Sequence, residues 1–296
     1  MKILHLDSGR EMRGGQWQAL RLHRGLLTRG HESLLLTRPG SPLSEVAGRE
    51  GLRAGTVGSV WTGYDIVHAH DARSHTLAAI RAKAPLVVSR RVGFAVKDSV
   101  FSRWKYRRPK LFIAISRYVA QQLRNAGVAD DRITVVYDGI PVPSNPADGE
   151  GKNAAILIPA TTDPEKGMAL AQEAARIAGV EVQISNNLAD DLPRAAGLLY
   201  LTRSEGLGSG ILLGMAHGLA VIASNVGGIP ELIRDGETGI LVPNETGPVA
   251  EALRRFTPAL RHSMGRAARA TVIERFTEDR MVDSTIAAYE RVLKHA

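Results

Sequence analysis

The chain of 296 residues is long enough for two domains, and its 44% hydrophobic and 23% charged residues are typical of a folded, soluble protein. It contains no cysteine, which excludes disulfides, thiolate metal sites and a cysteine nucleophile. The N-terminal apolar run is too short for a signal peptide, and no stretch approaches the roughly 18 to 20 apolar residues of a spanning helix. We therefore expect a cytoplasmic protein, either soluble or peripheral to the inner face of the membrane.

The net charge of +8 is concentrated in the first half of the chain. Residues 1–150 carry 23 Lys and Arg against 13 Asp and Glu, or +10, whereas residues 151–296 carry 15 against 17, or −2. The densest basic segment is RWKYRRPK, whose cations are Arg103, Lys105, Arg107, Arg108 and Lys110. A solvated helix face, an anionic membrane surface and an anionic substrate all fit this pattern. No nucleic-acid recognition motif accompanies the charge, so we expect no nucleic-acid partner.

The first half of the chain alternates short apolar runs with helix-length segments. KILHL at 2–6 predicts a strand, and the apolar spacing from Gln16 to about Arg29 predicts a helix that ends at Gly30. Further strands are predicted at HESLLLTR, DIVHAH, PLVVSR, LFIAIS and ITVVYD. Strands that alternate with helices indicate a doubly wound parallel sheet.

A Pro- and Gly-rich segment at 139–153, GIPVPSNPADGEGKN, predicts a linker. We therefore expect Rossmann-like domains at 1–145 and 146–296, with the last helix, from Glu278 to Lys294, crossing back to the first domain. The second domain is predicted to have a helix from Lys166 to Gly179, a largely helical region after 245, and strands at AILIPA, VEVQIS, GLLYLT and GILVP. Such sheets bind ligands at the carboxyl ends of their strands, so one cleft between the domains is expected.

The most informative stretch is Ser204–Glu231, SEGLGSGILLGMAHGLAVIASNVGGIPE. It places Glu205 beside a Gly-rich loop, followed by an apolar helix, a short apolar strand and a second Gly-rich turn. A helix that starts in this way directs free N–H groups and the positive end of its dipole at an anionic ligand. The dinucleotide template G-x-G-x-x-G fails, because the third glycine would fall on Ile211 or Leu213. An oxidoreductase is therefore disfavoured.

Many short motifs in order resemble the GT-B glycosyltransferases of family 4. They are MKILHLDSG with the later GG and GHE, DIVHAHDARSHT, FIAISRYVAQQL, VVYDGI, DPEKG, and EGLGSGILLGMAHGLAVIASNVGGIPELIRDGETGILV. The resemblance covers nearly the whole chain. It implies two Rossmann-like domains facing a central cleft, and retaining transfer of a sugar from a nucleotide-sugar without a metal or other cofactor.

The resemblance also implies roles for individual residues. Glu205 matches the acid that contacts the donor sugar near its reacting carbon, and Lys166 matches the lysine that neutralises the donor diphosphate. Gly14 and Gly15 match the loop that covers this diphosphate, and the donor-binding backbone corresponds to Gly206, Gly208, Ser209, Gly210 and Ile211. These residue types suit the reaction, because the diphosphate gains negative charge and the sugar gains positive character as the bond breaks.

The sequence departs from the family pattern at four places. Leu213 replaces the acid that holds the ribose, and Thr161 replaces an arginine that precedes the lysine. Arg91 replaces a histidine. Arg91, or Arg90 beside it, could supply the missing cation, and we count Arg91 among the catalytic candidates. The interval from Lys166 to Glu205 is short by about one strand and one helix.

The acceptor side is less specific. His70, Asp71, Arg73 and Arg90 are candidates to contact an acceptor, although His68 and His70, which alternate at a strand end, also fit a structural role. Two functions remain open. One is an enzyme that glycosylates a glycan or lipid-linked acceptor in polysaccharide or lipopolysaccharide biosynthesis, and the other is a GT-B-shaped scaffold that has lost catalysis.

Overall fold

The computed structural model describes residues 1–56, 58–97, 99–147 and 154–294. The chain forms two compact units: unit 1 is Met1–Gly139 together with the segment from Glu278 onward, and unit 2 is Ile140–Thr277. The division lies six residues before the domain boundary expected from the sequence, and residues 148–153 of the expected linker lie outside the described residues. In the described part of the chain, none of the helices has the length and apolar character needed to cross a membrane.

The strands, in chain order, are β1 (Lys2–Asp7), β2 (Glu32–Thr37), β3 (Ala54–Thr56), β4 (Ile66–Ala69), β5 (Leu86–Arg90), β6 (Leu111–Ala114), β7 (Ile133–Val135), β8 (Ile156–Pro159), β9 (Val182–Ser185), β10 (Gly197–Tyr200), β11 (Val221–Ser224) and β12 (Ile240–Val242). The helices are α1 (Gly14–Thr28), α2 (Pro42–Arg49), α3 (Ala72–Arg81), α4 (Val100–Arg107), α5 (Arg117–Asn125), α6 (Met168–Ala178), α7 (Leu188–Asp191), α8 (Ser209–Ala216), α9 (Thr246–Arg255), α10 (Pro258–Arg275) and α11 (Glu278–Lys294).

Unit 1 is built on a parallel sheet in the order β3-β2-β1-β4-β5-β6-β7. The order reverses between β1 and β4, which is where doubly wound sheets bind ligands. Its central strands are buried on both faces, as in β4, because helices cover both sides of a parallel sheet. α11 belongs to this unit and packs against α1, where Val282 leaves no room for a side chain at Gly25.

Unit 2 has a five-stranded parallel sheet in the order β12-β11-β10-β8-β9, with its reversal between β8 and β10. Its core is a set of small and branched apolar residues contributed by the strands together with α6, α9 and α10. Between Lys166 and Glu205 the structure has only α6, β9, the single-turn α7, a 3-10 turn and β10. The short interval between Lys166 and Glu205 therefore corresponds to a small, five-stranded sheet in which β9 is the edge strand.

The predicted fold class, two doubly wound α/β domains, is confirmed. One local prediction was wrong: the helix expected from Lys166 begins at Met168. Lys166 instead closes a 3-10 turn, and Gly167 separates the turn from α6 with a φ of 63°, in the left-handed region that favours glycine.

Candidate functional site

The centre of the candidate site in unit 2 is a contact between Lys166 and Glu205. Lys166 follows β8 and Glu205 lies in the loop after β10. Because β8 and β10 are parallel neighbours, both residues lie at the carboxyl edge of the sheet, where the strand order reverses. Lys166 Nζ lies 3.0 Å from Glu205 Oε2. Two residues 39 positions apart thus form one charged centre.

Two further donors hold the Glu205 carboxylate. The Tyr200 hydroxyl donates to Oε2 at 3.0 Å, and the Gly206 N–H donates to Oε1 at 3.1 Å. Burial of the hydroxyl and the nearby Glu205 carboxylate raise the pKa of Tyr200 well above its ordinary value, so it remains a donor at neutral pH. Tyr200 was not among the predicted site residues. The sequence offers one indication of its role: it is a tyrosine at the end of a predicted strand, five positions before Glu205.

The second Gly-rich turn supports the backbone of Glu205. The Gly228 N–H donates to the Glu205 carbonyl oxygen at 3.1 Å. Gly227 has a φ of 58°, and a Cβ there would collide with the same carbonyl oxygen. A glycine is therefore required at 227 both for its conformation and for the close approach of the two backbones.

Gly227→Ala is expected to destabilise unit 2 by about 1 to 3 kcal/mol and to displace Glu205. Gly236→Ala is the matched control, because Gly236 also has a positive φ, 77°, but nothing lies within 4 Å of its Cβ position. Thermal unfolding followed by circular dichroism should show the larger loss for Gly227→Ala. Equal losses in the two variants would contradict the collision with the Glu205 backbone.

The N-terminus of α8 follows Glu205 directly. Its N-cap is Gly208, with a φ of 115° and no side chain to accept from the first-turn N–H groups. Of the predicted donor-binding backbone, Ser209, Gly210 and Ile211 form this first turn, whereas the Gly206 N–H is bonded to Glu205. A Cβ at Gly210 would lie 2.9 Å from the ring of Tyr200, so glycine there lets α8 approach the residue that holds the acid. The turn provides an anion-binding end beside the charged centre.

A cavity of about 390 Å³ opens at the same edge of unit 2. Its lining includes Thr161, Asp163, Thr202, Arg203 and Asn244, together with the first turn of α6. Arg203 Nη1 lies 3.2 Å from Glu165 Oε1, which keeps a second cation next to the turn that carries Lys166. The size, together with a mainly apolar lining that carries a few polar side chains, suits a small organic ligand. Arg203 and Asn244 were not among the predicted site residues either, because they follow different strands, β10 and β12, and line one cavity only in the folded sheet.

In unit 1, Gly14 and Gly15 are the first residues of α1. A Cβ at Gly15 would lie 3.3 Å from Arg91 Cδ, so α1 begins against the arginine that follows β5. The Arg91 guanidinium forms an ion pair with Asp138, and both side chains are largely buried. The charge of Arg91 is thus partly neutralised within unit 1, and its catalytic role stays a prediction.

The four acceptor-side candidates lie at the carboxyl ends of β4 and β5. His70 is buried, and Asp71 caps α3 by accepting from the N–H groups of Arg73 and Ser74. Arg90 donates to the Tyr106 hydroxyl at 2.7 Å and to the Phe94 carbonyl. Arg73 is exposed. The side chains of His70, Asp71 and Arg90 are therefore engaged inside unit 1, which leaves Arg73 as the most accessible of the four.

A cluster of buried histidines joins β1, β4 and α1; its members are His5, His23, His68 and His70. His5 Nδ1 lies 2.9 Å from His70 Nε2, and His68 is bonded to Tyr289 of α11 at 2.6 Å and to Ser89 at 2.9 Å. Burial, followed by charges nearby, lowers the pKa of His68 to about 3 and that of His5 and His70 well below the ordinary value.

Within the described part of the chain, His5, His68 and His70 are the only group of three side chains whose ligand atoms, all within 4.8 Å of one another, have metal-binding chemistry. Both His68 nitrogens already have hydrogen-bond partners, and the Arg91 charge lowers the pKa of His68 and His70. A buried cation there would be repelled by Arg91. The cluster therefore fits a neutral structural core better than a metal site.

Comparison with known proteins identifies the class. A family model described as "Glycosyltransferase Family 4" matches residues 12–142, and one described as "Glycosyl transferases group 1" matches residues 150–257. Among solved structures, Anabaena HepE in complex with UDP and glucose superposes with a TM-score of 0.82 at 16% identity, covering 98% of this chain and 100% of that one. A glycosyltransferase from Rickettsia africae superposes with a TM-score of 0.80 at 20% identity, covering 100% of this chain and 99% of that one.

The fold is that of the GT-B glycosyltransferases. With the two family models, this shows that the chain belongs to the glycosyltransferases related to family 4.

Curated relatives agree with this assignment. An N-acetyl-alpha-D-glucosaminyl L-malate synthase from Bacillus anthracis is 35% identical over 37% of this chain, an alignment that spans 29% of the relative. A D-inositol 3-phosphate glycosyltransferase from Mycobacterium avium is 27% identical over 78% of this chain and 70% of its own length. The chain thus spans less than a third of the first relative and about two thirds of the second.

Proposed function

We propose that the protein is a retaining glycosyltransferase that moves a sugar from a nucleotide-sugar to a glycan or lipid-linked acceptor, without a metal. The observation that carries the proposal is the 3.0 Å contact between Lys166 and Glu205 beside the N-terminus of α8. The relatives support it, because HepE was solved with UDP and glucose and the Mycobacterium avium relative is named as a glycosyltransferase.

Each group in the site has a task in this reaction. When the glycosyl–phosphate bond breaks, its electrons go to the diphosphate, whose negative charge is met by Lys166 Nζ and by the first N–H groups of α8. The sugar carbon gains positive character, which the Glu205 carboxylate stabilises. Tyr200 and Gly206 hold that carboxylate in one orientation. The lysine and the helix end supply the positive charge that a metal would otherwise provide.

Two residues of unit 1 belong to the proposal. Arg91 is proposed to compensate for Thr161 as a second cation at the diphosphate, and Arg73 to contact the acceptor. An Arg91→Ala variant with unchanged donor affinity and turnover would remove Arg91 from the mechanism.

The decisive experiment is calorimetry with UDP-, GDP-, ADP- and CMP-sugars, followed by turnover of the donor that binds. We expect one of them to bind, its sugar to keep its anomeric configuration in the product by NMR, and turnover to survive EDTA. Inversion of the anomeric centre would contradict the retaining assignment, and loss of turnover in EDTA would contradict metal independence.

A non-catalytic scaffold is the second candidate, and Leu213 favours it. A leucine cannot accept hydrogen bonds from ribose hydroxyls, and the loss of a contact to a neutral diol costs roughly 1 to 3 kcal/mol. This weakens nucleotide binding by about one to two orders of magnitude without affecting the fold. Binding of none of the four donors would favour the scaffold.

We also propose that the protein acts in cell-envelope or polysaccharide biosynthesis, at the cytoplasmic face of the membrane. The uneven charge supports this location, since residues 1–150 carry +10 and residues 151–296 carry −2. An anionic surface would attract the first unit over a distance of about one Debye length, about 8 Å at physiological salt.

A further inference from the structure

Exposed apolar side chains are concentrated in one short part of unit 1. Of the eleven large hydrophobic residues that are exposed in the described part of the chain, five lie between 92 and 104. They are Val92, Phe94, Val100, Phe101 and Trp104, with between 40% and 76% of each residue exposed. Single exposed apolar residues are normal on a soluble protein, but a group of five in 13 positions marks an interaction surface.

Helix α4 presents two different sides. At 3.6 residues per turn, Val100, Phe101 and Trp104 share one side with Arg103 and Arg107, and all five are exposed. The opposite side contains Ser102, Lys105 and Tyr106, all of which are partly buried. The helix buries none of its residues completely. Its apolar side chains therefore face solvent, in contrast to an ordinary surface helix, which turns them toward the core.

Contacts on the inner side fix this orientation. The Tyr106 ring stacks on Phe112 with centroids 5.3 Å apart, and Lys105 Nζ donates to the Ala72 carbonyl at 2.7 Å. Arg132 donates to the carbonyls of Tyr106 and Arg107 at 2.9 and 3.2 Å, which satisfies the C-terminal end of the helix. The helix cannot roll its apolar side inward without breaking these bonds.

The charge around the exposed side chains indicates what covers them. The segment 97–110 contains six Lys and Arg against one Asp. Aromatic side chains between cations are typical of helices that lie in the interface of an anionic bilayer, with Trp at the level of the headgroups.

We propose that α4 inserts Val100, Phe101 and Trp104 into an anionic lipid bilayer, with Arg103 and Arg107 at the lipid phosphates. This goes beyond electrostatic attraction, because it assigns a defined depth and orientation to unit 1. It rests on the proposed location at the membrane but not on the proposed transfer reaction, so failure of the insertion leaves the proposed reaction unaffected.

The test is co-sedimentation of the full chain with vesicles of phosphatidylcholine alone and of equal parts phosphatidylcholine and phosphatidylglycerol. We expect binding only to the anionic vesicles. The Phe101→Ser/Trp104→Ser variant should bind at least about tenfold more weakly, because two large apolar side chains no longer enter the bilayer. The matched control is Ile177→Ser/Ile273→Ser, which removes two exposed apolar side chains from unit 2 and should bind like the wild type.

A second measurement reports the depth of Trp104. Lipids brominated in the acyl chains should quench wild-type fluorescence, whereas Trp104→Phe should bind similarly and lose most of the quenching. Three results would overturn the proposal: no binding to anionic vesicles, equal binding by the wild type and Phe101→Ser/Trp104→Ser, or a wild-type dimer that this variant converts to a monomer. Equal binding by the wild type and the variant would mean that the protein adsorbs by charge alone. A dimer that the variant converts to a monomer would mean that a second copy of the chain covers the surface.

Discussion

Lys166→Ala is expected to lower turnover by about 10² to 10³, because it removes a preorganised cation from the developing charge of the diphosphate. The effect on stability should be small. Lys166 keeps 37% of its side chain exposed, and Glu205, with 18% exposed, retains its hydrogen bonds from Tyr200 and Gly206, so the loss should be about 1 kcal/mol. An activity loss of this size therefore cannot result from unfolding. Steady-state kinetics, with thermal unfolding in parallel, measure both quantities.

Two comparisons separate a role at the diphosphate from a role in holding Glu205. Lys166→Ala should weaken binding of the nucleoside diphosphate of the active donor by about tenfold and leave the monophosphate unchanged, whereas Glu205→Gln should lower turnover without weakening the diphosphate. Arg176→Ala removes an exposed cation of α6 that is paired with Glu173, and should change neither property. Equal weakening of the monophosphate and diphosphate by Lys166→Ala would contradict the assignment.

Much of the fold could be predicted because most strands are local apolar runs of four to six residues, separated by segments of helical length. The exceptions have a physical reason. β3 is a three-residue edge strand, AGT, that buries none of its residues completely, so no hydrophobic pattern marks it. The start of α6 was misplaced because a single glycine in the left-handed conformation interrupts a sequence that otherwise continues as a helix.

The contact between Lys166 and Glu205 could not be predicted from the local sequence pattern. It depends on β10 lying next to β8, on the side opposite β9, and strand order is a non-local property that the local apolar pattern does not give. Gly227 meets the Glu205 backbone because β11 lies next to β10, whereas Tyr200 is only five residues from Glu205. Neither was predicted as a site residue. Likewise, β1 and β4 align His5 opposite His68 in the sheet, although 63 residues separate them in the sequence.

The free energy of unfolding of unit 1 is expected to fall steeply as the pH drops below 6.5. Burial lowers the pKa of His23 to about 4 and that of His68 and His75 to about 3, whereas the same rings have a pKa near 6.5 in the unfolded chain. Below 6.5 the unfolded chain therefore binds more protons than the folded one, and stability declines with falling pH until the folded values are reached.

Each of these three rings costs about 1.4 kcal/mol of stability per pH unit below 6.5, so together they remove about 4 kcal/mol by pH 5.5. This is a large part of the 5 to 15 kcal/mol that stabilises a typical domain. All three tryptophans, at 17, 61 and 104, lie in unit 1, so urea unfolding followed by tryptophan fluorescence reports this unit selectively.

His23→Asn places an amide group at the position of Nδ1, so it can keep the hydrogen bond to Ser33, and it should reduce the loss between pH 7.5 and 5.5 by about 1.4 kcal/mol. His262→Gln changes an exposed ring of unit 2 and should leave the pH dependence of the fluorescence transition as it is in the wild type. A transition that stays at the same urea concentration from pH 7.5 to 4.5 would show that the rings of His23, His68 and His75 do not remain neutral in the folded protein. In the described part of unit 1, the hydrogen-bond partners of His23, His68 and His75 are hydroxyl and carbonyl groups rather than carboxylates, so a protonated ring gains no compensating charge from them.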